Sequence, residues 1–506
     1  MTDHVSQLAS PAQQGEMPSL WSRVALLVAS GIVAFFGYRA VASHAASFAI
    51  DVQVTLLPLL VVTIPYILAC WYVWRTAPLV RERDRWIELA VILGIGVVLR
   101  MIFWPLPPTI SQDAYRYVWD AHQVAHGVSP YAHTPIDPAV AWLRDRAIWP
   151  NLNWRDSPTI YPPGAQMFYL LIYKFAPLNI WAMKAGIALC DGGVAVLTII
   201  LLRRAGLDAR RVLLYWWSPI TIIEFAFSAH IDALAVLLTL AALLVNMRSD
   251  PRARWAVGIL LGLATLTKLY PLLFAVVLVR RRDWRSVLAL SLTLVLGYLP
   301  FIRLGLGGGG FLSTYFHQRF VDQGFLLKEL TLISINLLGG SGNLLIVLEL
   351  CSLGACAVTV LWWRWRFGLT PAAGILALSA AWILFSPHLF PWYIGALLPF
   401  LALVGRLPAA GVVPRRGVAG GSAAAPAVAL WLFAVLMPFT YVIFAPGLNP
   451  DLFQLFFIVP FVFVAWEAWR RRAWRGMHTE IKRSWDDGLV LIRQTRSSLF
   501  HVDVSP

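Results

Sequence analysis

"TISQDAYRYVWDAHQVAHGVSPYAHTP", Thr109–Pro135, follows directly on a hydrophobic segment that ends near Trp104. A lone carboxylate, Asp113, stands there beside Tyr115 and Arg116, in a stretch where acidic, basic and aromatic residues interleave. The chain around it is mostly apolar: of 506 residues 59% are hydrophobic and 13% charged. A soluble globular protein carries roughly twice that charged share. Runs of about 20 apolar residues recur, each long enough to cross the hydrocarbon core of a bilayer. Short alternating segments, the mark of a transmembrane β-barrel, are not found. The fold class is all-α polytopic membrane protein, so an acid just outside a span asks for a reason.

The net charge of +15 argues for no nucleic-acid partner. Basic residues of membrane proteins collect in cytoplasmic loops, and here they stand between the hydrophobic spans. All four cysteines, Cys70, Cys190, Cys351 and Cys356, lie inside apolar segments, with neither a disulfide framework nor a zinc spacing. Residues 1–21 are polar and precede a full-length span, which predicts a cytoplasmic tail and no signal peptide.

Charge tests the threading. With the N-terminus inside, Arg75–Arg85, Arg203–Arg211, Arg248–Arg254, Arg364–Arg366, Arg406–Arg416 and the tail from Arg470 all face the cytoplasm, as the positive-inside rule asks. Two conditions follow. "YPPGAQMFYLLIYKFAPLN", Tyr161–Asn179, must not cross; its prolines suit the start of an interfacial helix on the outer surface. "WAVGILLGLATLTKLYPLLFAVVLVRRRDWR" must return to the side it left, as a re-entrant pair of half-helices broken near Lys268-Leu269-Tyr270-Pro271. Non-helical backbone at membrane depth is tolerated where it is buried in protein or lines a water-filled cavity, so the break points to a site.

The reading gives about 12 full spans plus this pair, a bundle of about 12–14 transmembrane helices. Among the spans are Trp86–Trp104, Ile180–Leu202, Val212–Ser228 and Ile231–Met247. The divisions are a tail (1–21), an extra N-terminal hairpin (22–74), a core (75–406) with the external loop 105–179, C-terminal helices (407–469) and a basic tail (470–506). Leu304–Gly342 is expected as a second external loop and Gly417–Pro426 as a flexible cytoplasmic linker.

Polar residues converge on the outer side: Asp113, Tyr115, Arg116 and Asp120, then Tyr161, His230 and Asp232 in "FSAHIDALAV", Lys268, His317 and Arg319 in "YFHQRF", and His388 in "FSPHLFPWY". Each has a plainer reading. Asp113 can cap the helix that follows it, and Asp232 is an equally good cap. Asp120 suits a structural partner for Arg116 or His122. His122 and His126 form an i,i+4 pair, but Gln123 stands where a zinc protease carries its glutamate, which weakens any metal reading. Asp191 and Glu224 lie within spans, where a charge is either paired or functional. Lys268 reads as the one lysine deep in a span region, and snorkelling explains it poorly because a break follows at once.

"SQDAYRY", "YPPGAQMFYLL", "GLATLTKLYPLLF" and "SPHLFPWYIGALLP" together, in this order, resemble the GT-C superfamily of integral-membrane glycosyltransferases. The likeness runs from about Trp86 to Arg406 and is strongest to bacterial mannosyltransferases that use polyprenyl-phosphate sugars and to the GPI mannosyltransferase group. It implies a helical bundle with external interfacial helices, a lipid-linked sugar donor, and an acidic base in the first large external loop, which falls on Asp113. Many members carry a second acid there; Ala114 and Tyr115 stand in its place, so a metal-binding carboxylate pair is missing and no cofactor is implied, a divalent metal being left open. Two spans also precede the usual first one.

The resemblance thus implies an inverting transfer of a hexose, mannose by the nearest likeness, from polyprenyl phosphate to a lipid or glycan acceptor. It sets the protein in a bacterial inner membrane, among membrane lipids, with its site facing outward. Lys268, His388, Arg116 and Arg319 are the candidates for the leaving phosphate. Tyr115, Tyr161, His230, Asp232, Trp392 and Tyr393 are candidates for the substrates, aromatic rings suiting sugar faces and the lipid interface. A lipid or sugar transporter or flippase is the rival, since it too needs intramembrane polar residues and a broken helix.

Overall fold

The computed structural model describes residues 19–44, 52–306, 343–386, 389–404 and 424–443, with the single positions 458 and 462. Residues 1–18 of the N-terminal tail, the whole C-terminal tail, most of the expected second external loop and cytoplasmic linker, and nearly all of the last expected span lie outside the described residues. Every regular element described is helical. The longer ones are α1 (Leu20–Ser43), α2 (Val52–Arg75), α3 (Glu82–Met101), α4 (Asp113–Ala125), α5 (Pro163–Phe175), α6 (Ile180–Arg204), α7 (Asp232–Asn246), α8 (Pro251–Thr267), α9 (Trp284–Leu304), α10 (Asn343–Phe367), α11 (Pro371–Phe385) and α12 (Ala424–Leu436).

Five of these are long and apolar enough to cross a membrane: α1, most of α2, α6, α9 and most of α10. The amphipathic α4 lies in the loop 105–179, expected to be external. At 13 residues α5 is about 20 Å long, short of a core about 30 Å thick. Pro163 stands in its first turn, where a missing N–H costs nothing.

Helix α8 stops at Thr267 for a covalent reason. A helix continued through Pro271 would find no N–H for the Thr267 carbonyl and would drive the ring against it. Lys268 is extended (φ −145°, ψ 148°). A 3-10 turn, Tyr270–Phe274, and one α turn, Ala275–Leu278, then carry the chain to Arg280. Arg280 donates to the carbonyls of Asn246 and Arg248 at 2.6 and 3.0 Å, beside the start of α8. The segment ends where it began.

The segment expected as a straight span, Val212–Ser228, is not one. It is a run of short turns, Leu213–Trp216 and Pro219–Thr221, followed by a π-helix, Ile222–Phe227. It meets α7 at an angle of 114°. Pro219 interrupts the helix, and every residue from 212 to 233 is buried, so irregular backbone finds its partners in protein. Ser228 N–H donates to the Ile223 carbonyl and His230 N–H to that of Glu224, both at 2.9 Å.

Buried ion pairs join the helices. Arg100 on α3 donates to Asp191 on α6 at 2.5 Å, with the Trp216 carbonyl 2.6 Å away and the Tyr215 hydroxyl on the same carboxylate at 2.5 Å. Arg210 meets Glu88 at 2.9 Å, and Tyr72 donates to the same acid. Lys184 on α6 is also buried and donates to the carbonyls of Phe103 and Leu106 at 2.9 and 2.5 Å, so Lys268 is not the one deep lysine. Its partners are the frayed end of α3, which sequence does not locate.

Candidate active site

Helix α4 opens on Asp113, but the Asp113 carboxylate does not cap it. One oxygen accepts from the Asn153 side-chain amide at 2.9 Å, the other from the Tyr161 hydroxyl at 2.8 Å. Both donors come from the far side of the loop 105–179. The side chain keeps 16% of its surface open. An acid so held has its lone pairs oriented and one side still accessible.

His230 faces the same carboxylate, its Nε2 3.8 Å from Asp113 and 3.1 Å from the Ser111 hydroxyl. Its Nδ1 lies 3.1 Å from a Glu224 oxygen, and the Tyr441 hydroxyl donates to the other. Glu224 and His230 are fully buried. A line Tyr441–Glu224–His230–Asp113 therefore runs from the interior to the open acid. The turn that delivers His230 places Ala229 at φ +58°, a left-handed conformation that an alanine holds only under constraint from its surroundings. Trp392 stacks on the imidazole, centroids 4.0 Å apart.

Asp232, two residues on, serves a different partner. Its carboxylate lies 3.1 Å from Lys268 Nζ, which is how the break after α8 and the start of α7 are tied together. Lys268 Nζ also stands over two rings, Tyr161 at 5.4 Å and Tyr393 at 5.3 Å. Tyr161 thus touches both centres, Asp113 with its hydroxyl and Lys268 with its face. Burial, then the Asp113 charge, holds the Tyr161 phenol well above the ordinary value, so it stays a proton-bearing donor.

Gly164 explains how Tyr161 reaches Lys268. A Cβ there would stand 2.7 Å from Leu266 Cβ and 2.9 Å from its carbonyl oxygen, so only glycine lets α5 approach α8 this closely.

The structure therefore gathers Asp113, Tyr161, His230, Asp232, Lys268, Trp392 and Tyr393. Two other expected residues are described. Arg116 is buried, with its nitrogens on Asp120 (2.7 Å) and the carbonyls of Trp154 (2.8 Å) and Ser157 (2.9 Å), where it ties the loop to α4. Tyr115 is buried in the main apolar core. Arg319 and His388 lie outside the described residues. His122 spends its two ring nitrogens on the Tyr173 hydroxyl (2.6 Å) and the Leu143 carbonyl (3.1 Å). Burial, then His126, lowers its pKa. No group of three or more His, Cys, Asp or Glu placed to hold a metal occurs among the described residues. Sequence reasoning missed Asn153, Ser111 and Tyr441, polar residues with no spacing signal.

Residues 159–387 match the model of glycosyltransferase family 87. The match is to a glycosyltransferase family, and the helical fold with its apolar spans is that of an all-α polytopic membrane protein. Among solved structures it is similar to ArnT from Cupriavidus metallidurans in the apo state, at 16% identity over 76% of each chain and a TM-score of 0.41. No curated protein matches.

Proposed function

We propose that this chain is an inverting glycosyltransferase that moves a hexose, mannose by sequence likeness, from a polyprenyl-phosphate donor to a lipid or glycan acceptor. The site faces outward from a bacterial inner membrane, the arginine-rich end of the bundle lying in the cytoplasm. The observation that carries the reading is the double contact of Tyr161, which couples an open, oriented carboxylate to an ammonium group at the membrane-depth break.

The acceptor hydroxyl attacks the anomeric carbon while Asp113 takes its proton. The bond from that carbon to the phosphate oxygen breaks, and its electron pair leaves with polyprenyl phosphate. His230, oriented by Glu224 and Trp392, faces Asp113 and steadies its charge. Lys268, held by Asp232, offers three N–H donors and a positive charge to the departing phosphate, and charge stabilisation of this kind is often the largest catalytic contribution. Trp392 and Tyr393, whose rings back His230 and Lys268, form the aromatic wall of the sugar site.

The test is turnover of the purified full chain with a panel of polyprenyl-phosphate sugars and lipid acceptors, read by mass spectrometry and product anomeric configuration. Consumption of a mannose donor with inversion is the expected result. Retention of configuration would overturn the mechanism; movement of intact donor between leaflets without transfer would favour the transporter.

A further inference from the structure

Glycosyl transfer as proposed makes no use of the Ser111 hydroxyl, which lies 3.1 Å from His230 Nε2. On the other side of the ring, Nδ1 stands 3.1 Å from a Glu224 carboxylate oxygen and 3.3 Å from the Glu224 carbonyl. Both are acceptors, so Nδ1 carries the proton of the neutral ring and Nε2 presents its lone pair to Ser111. The Asp113 N–H points at Ser111 Oγ from 3.4 Å, which leaves the hydroxyl's own hydrogen for Nε2. Glu224 is itself fixed: it is fully buried and takes a hydrogen bond from the Tyr441 hydroxyl. Ser111 is only half-buried, so its oxygen stays within reach from outside.

A hydroxyl, an imidazole and a carboxylate in one line are the parts of an activated serine: a nucleophile, its base, and the group that orients the base. The left-handed Ala229 (φ +58°) holds the ring in that line. Helix α4 starts two residues after Ser111 with no side-chain cap, a source of N–H donors for an oxyanion. Ile110, the preceding residue, packs on an apolar cluster that includes Phe103 and Phe227. We infer that Ser111 is a second reactive centre, a nucleophile toward carboxylic esters that carry an apolar chain. Its Oγ bonds to the ester carbonyl carbon while its proton passes to Nε2. The carbon–oxygen bond of the ester then breaks, and the same proton leaves on the alcohol. Water repeats the sequence, freeing the acid and restoring the serine. The imidazolium formed on the way faces Asp113, 3.8 Å from Nε2.

Decyl fluorophosphonate tests this without any sugar donor: the serine oxygen bonds to phosphorus, fluoride leaves, and the adduct is stable. The purified full chain is treated with it and its peptides are mapped by mass spectrometry, with hydrolysis of nitrophenyl decanoate followed alongside. The expected result is an adduct on Ser111, and ester hydrolysis that Ser111→Ala abolishes. His230→Gln should slow labelling about 100-fold or more, as for loss of a positioned base. Glu224→Gln should slow it roughly 10-fold or more, and Glu224→Asp should restore much of that, since the carboxylate acts through the imidazole. Should these variants not fold, the wild type decides alone. A Ser111 left unlabelled in the folded wild type, or labelled no faster than the other serines of the chain, overturns the proposal. So does equal labelling of wild type and a folded His230→Gln. None of these outcomes depends on turnover at Asp113.

Discussion

At Asp113 two neutral donors, the Asn153 amide and the Tyr161 hydroxyl, point at one carboxylate. Asp113→Asn keeps the size but cannot accept a proton at neutral pH. A fall in kcat on the order of 100-fold or more is expected, as for removal of a positioned general base, with donor binding retained; near wild-type turnover would reduce the residue to a scaffold. Tyr161→Phe separates the two contacts of that ring. It removes a hydrogen bond to a charged group, worth about 1.5–3 kcal/mol, and leaves the face under Lys268. Turnover should drop roughly 10- to 100-fold while affinity for polyprenyl phosphate without sugar is unchanged. Lys268→Met should show the reverse preference and weaken that affinity. Asp113 and Lys268 were legible as single residues because each breaks an apolar context. Their partners were not: Asn153, Ser111 and Tyr441 are ordinary polar residues whose placement depends on tertiary packing. His230 and Asp232, neighbours in sequence, serve two different centres because a turn separates their directions.

Between elements the decisive contact is α5 against α8. Gly164→Ala would set a methyl group against Leu266 backbone and side chain, two residues from Lys268. Relief requires α5 to move, and Tyr161 moves with it. A rate loss of at least 10-fold is expected, since small misplacements of positioning groups cost that much or more, with little change in expression; unchanged kcat would mean that α5 only covers the site. The break after α8 was legible because proline cannot continue a helix. The junction before α7 was legible as the gap between the expected spans Val212–Ser228 and Ile231–Met247; the irregular course of Val212–Ser228 itself was not. An apolar run such as Val212–Ser228 satisfies the length and composition of a span, and burial on all sides lets it take turns and a π-helix instead. Apolarity shows that a segment avoids water, but not whether lipid or protein surrounds it.

Across the whole molecule, charge sorts to the two ends of the bundle, and the pairs between helices carry the cost of burying it. Arg100 and Asp191 join α3 to α6 deep in the bundle. Removing one partner of such a pair leaves an uncompensated charge and costs about 3–5 kcal/mol, whereas replacing both by apolar groups is often near neutral. Arg100→Leu alone should therefore lower the melting temperature sharply, and Arg100→Leu with Asp191→Leu should recover most of it; equal loss in both would show that the pair itself stabilises the bundle. The orientation of the two ends is a proposal drawn from the arginine-rich loops, and it is open to direct test. Asp156, in the loop expected to be external, and Ala205, after α6, are both exposed. In a chain with its four native cysteines replaced by serine, Asp156→Cys should react with a membrane-impermeant thiol reagent on intact cells. Ala205→Cys should react only after lysis. The reverse pattern would turn the bundle over and put Asp113 in the cytoplasm, where a donor presented on the outer leaflet could not reach it.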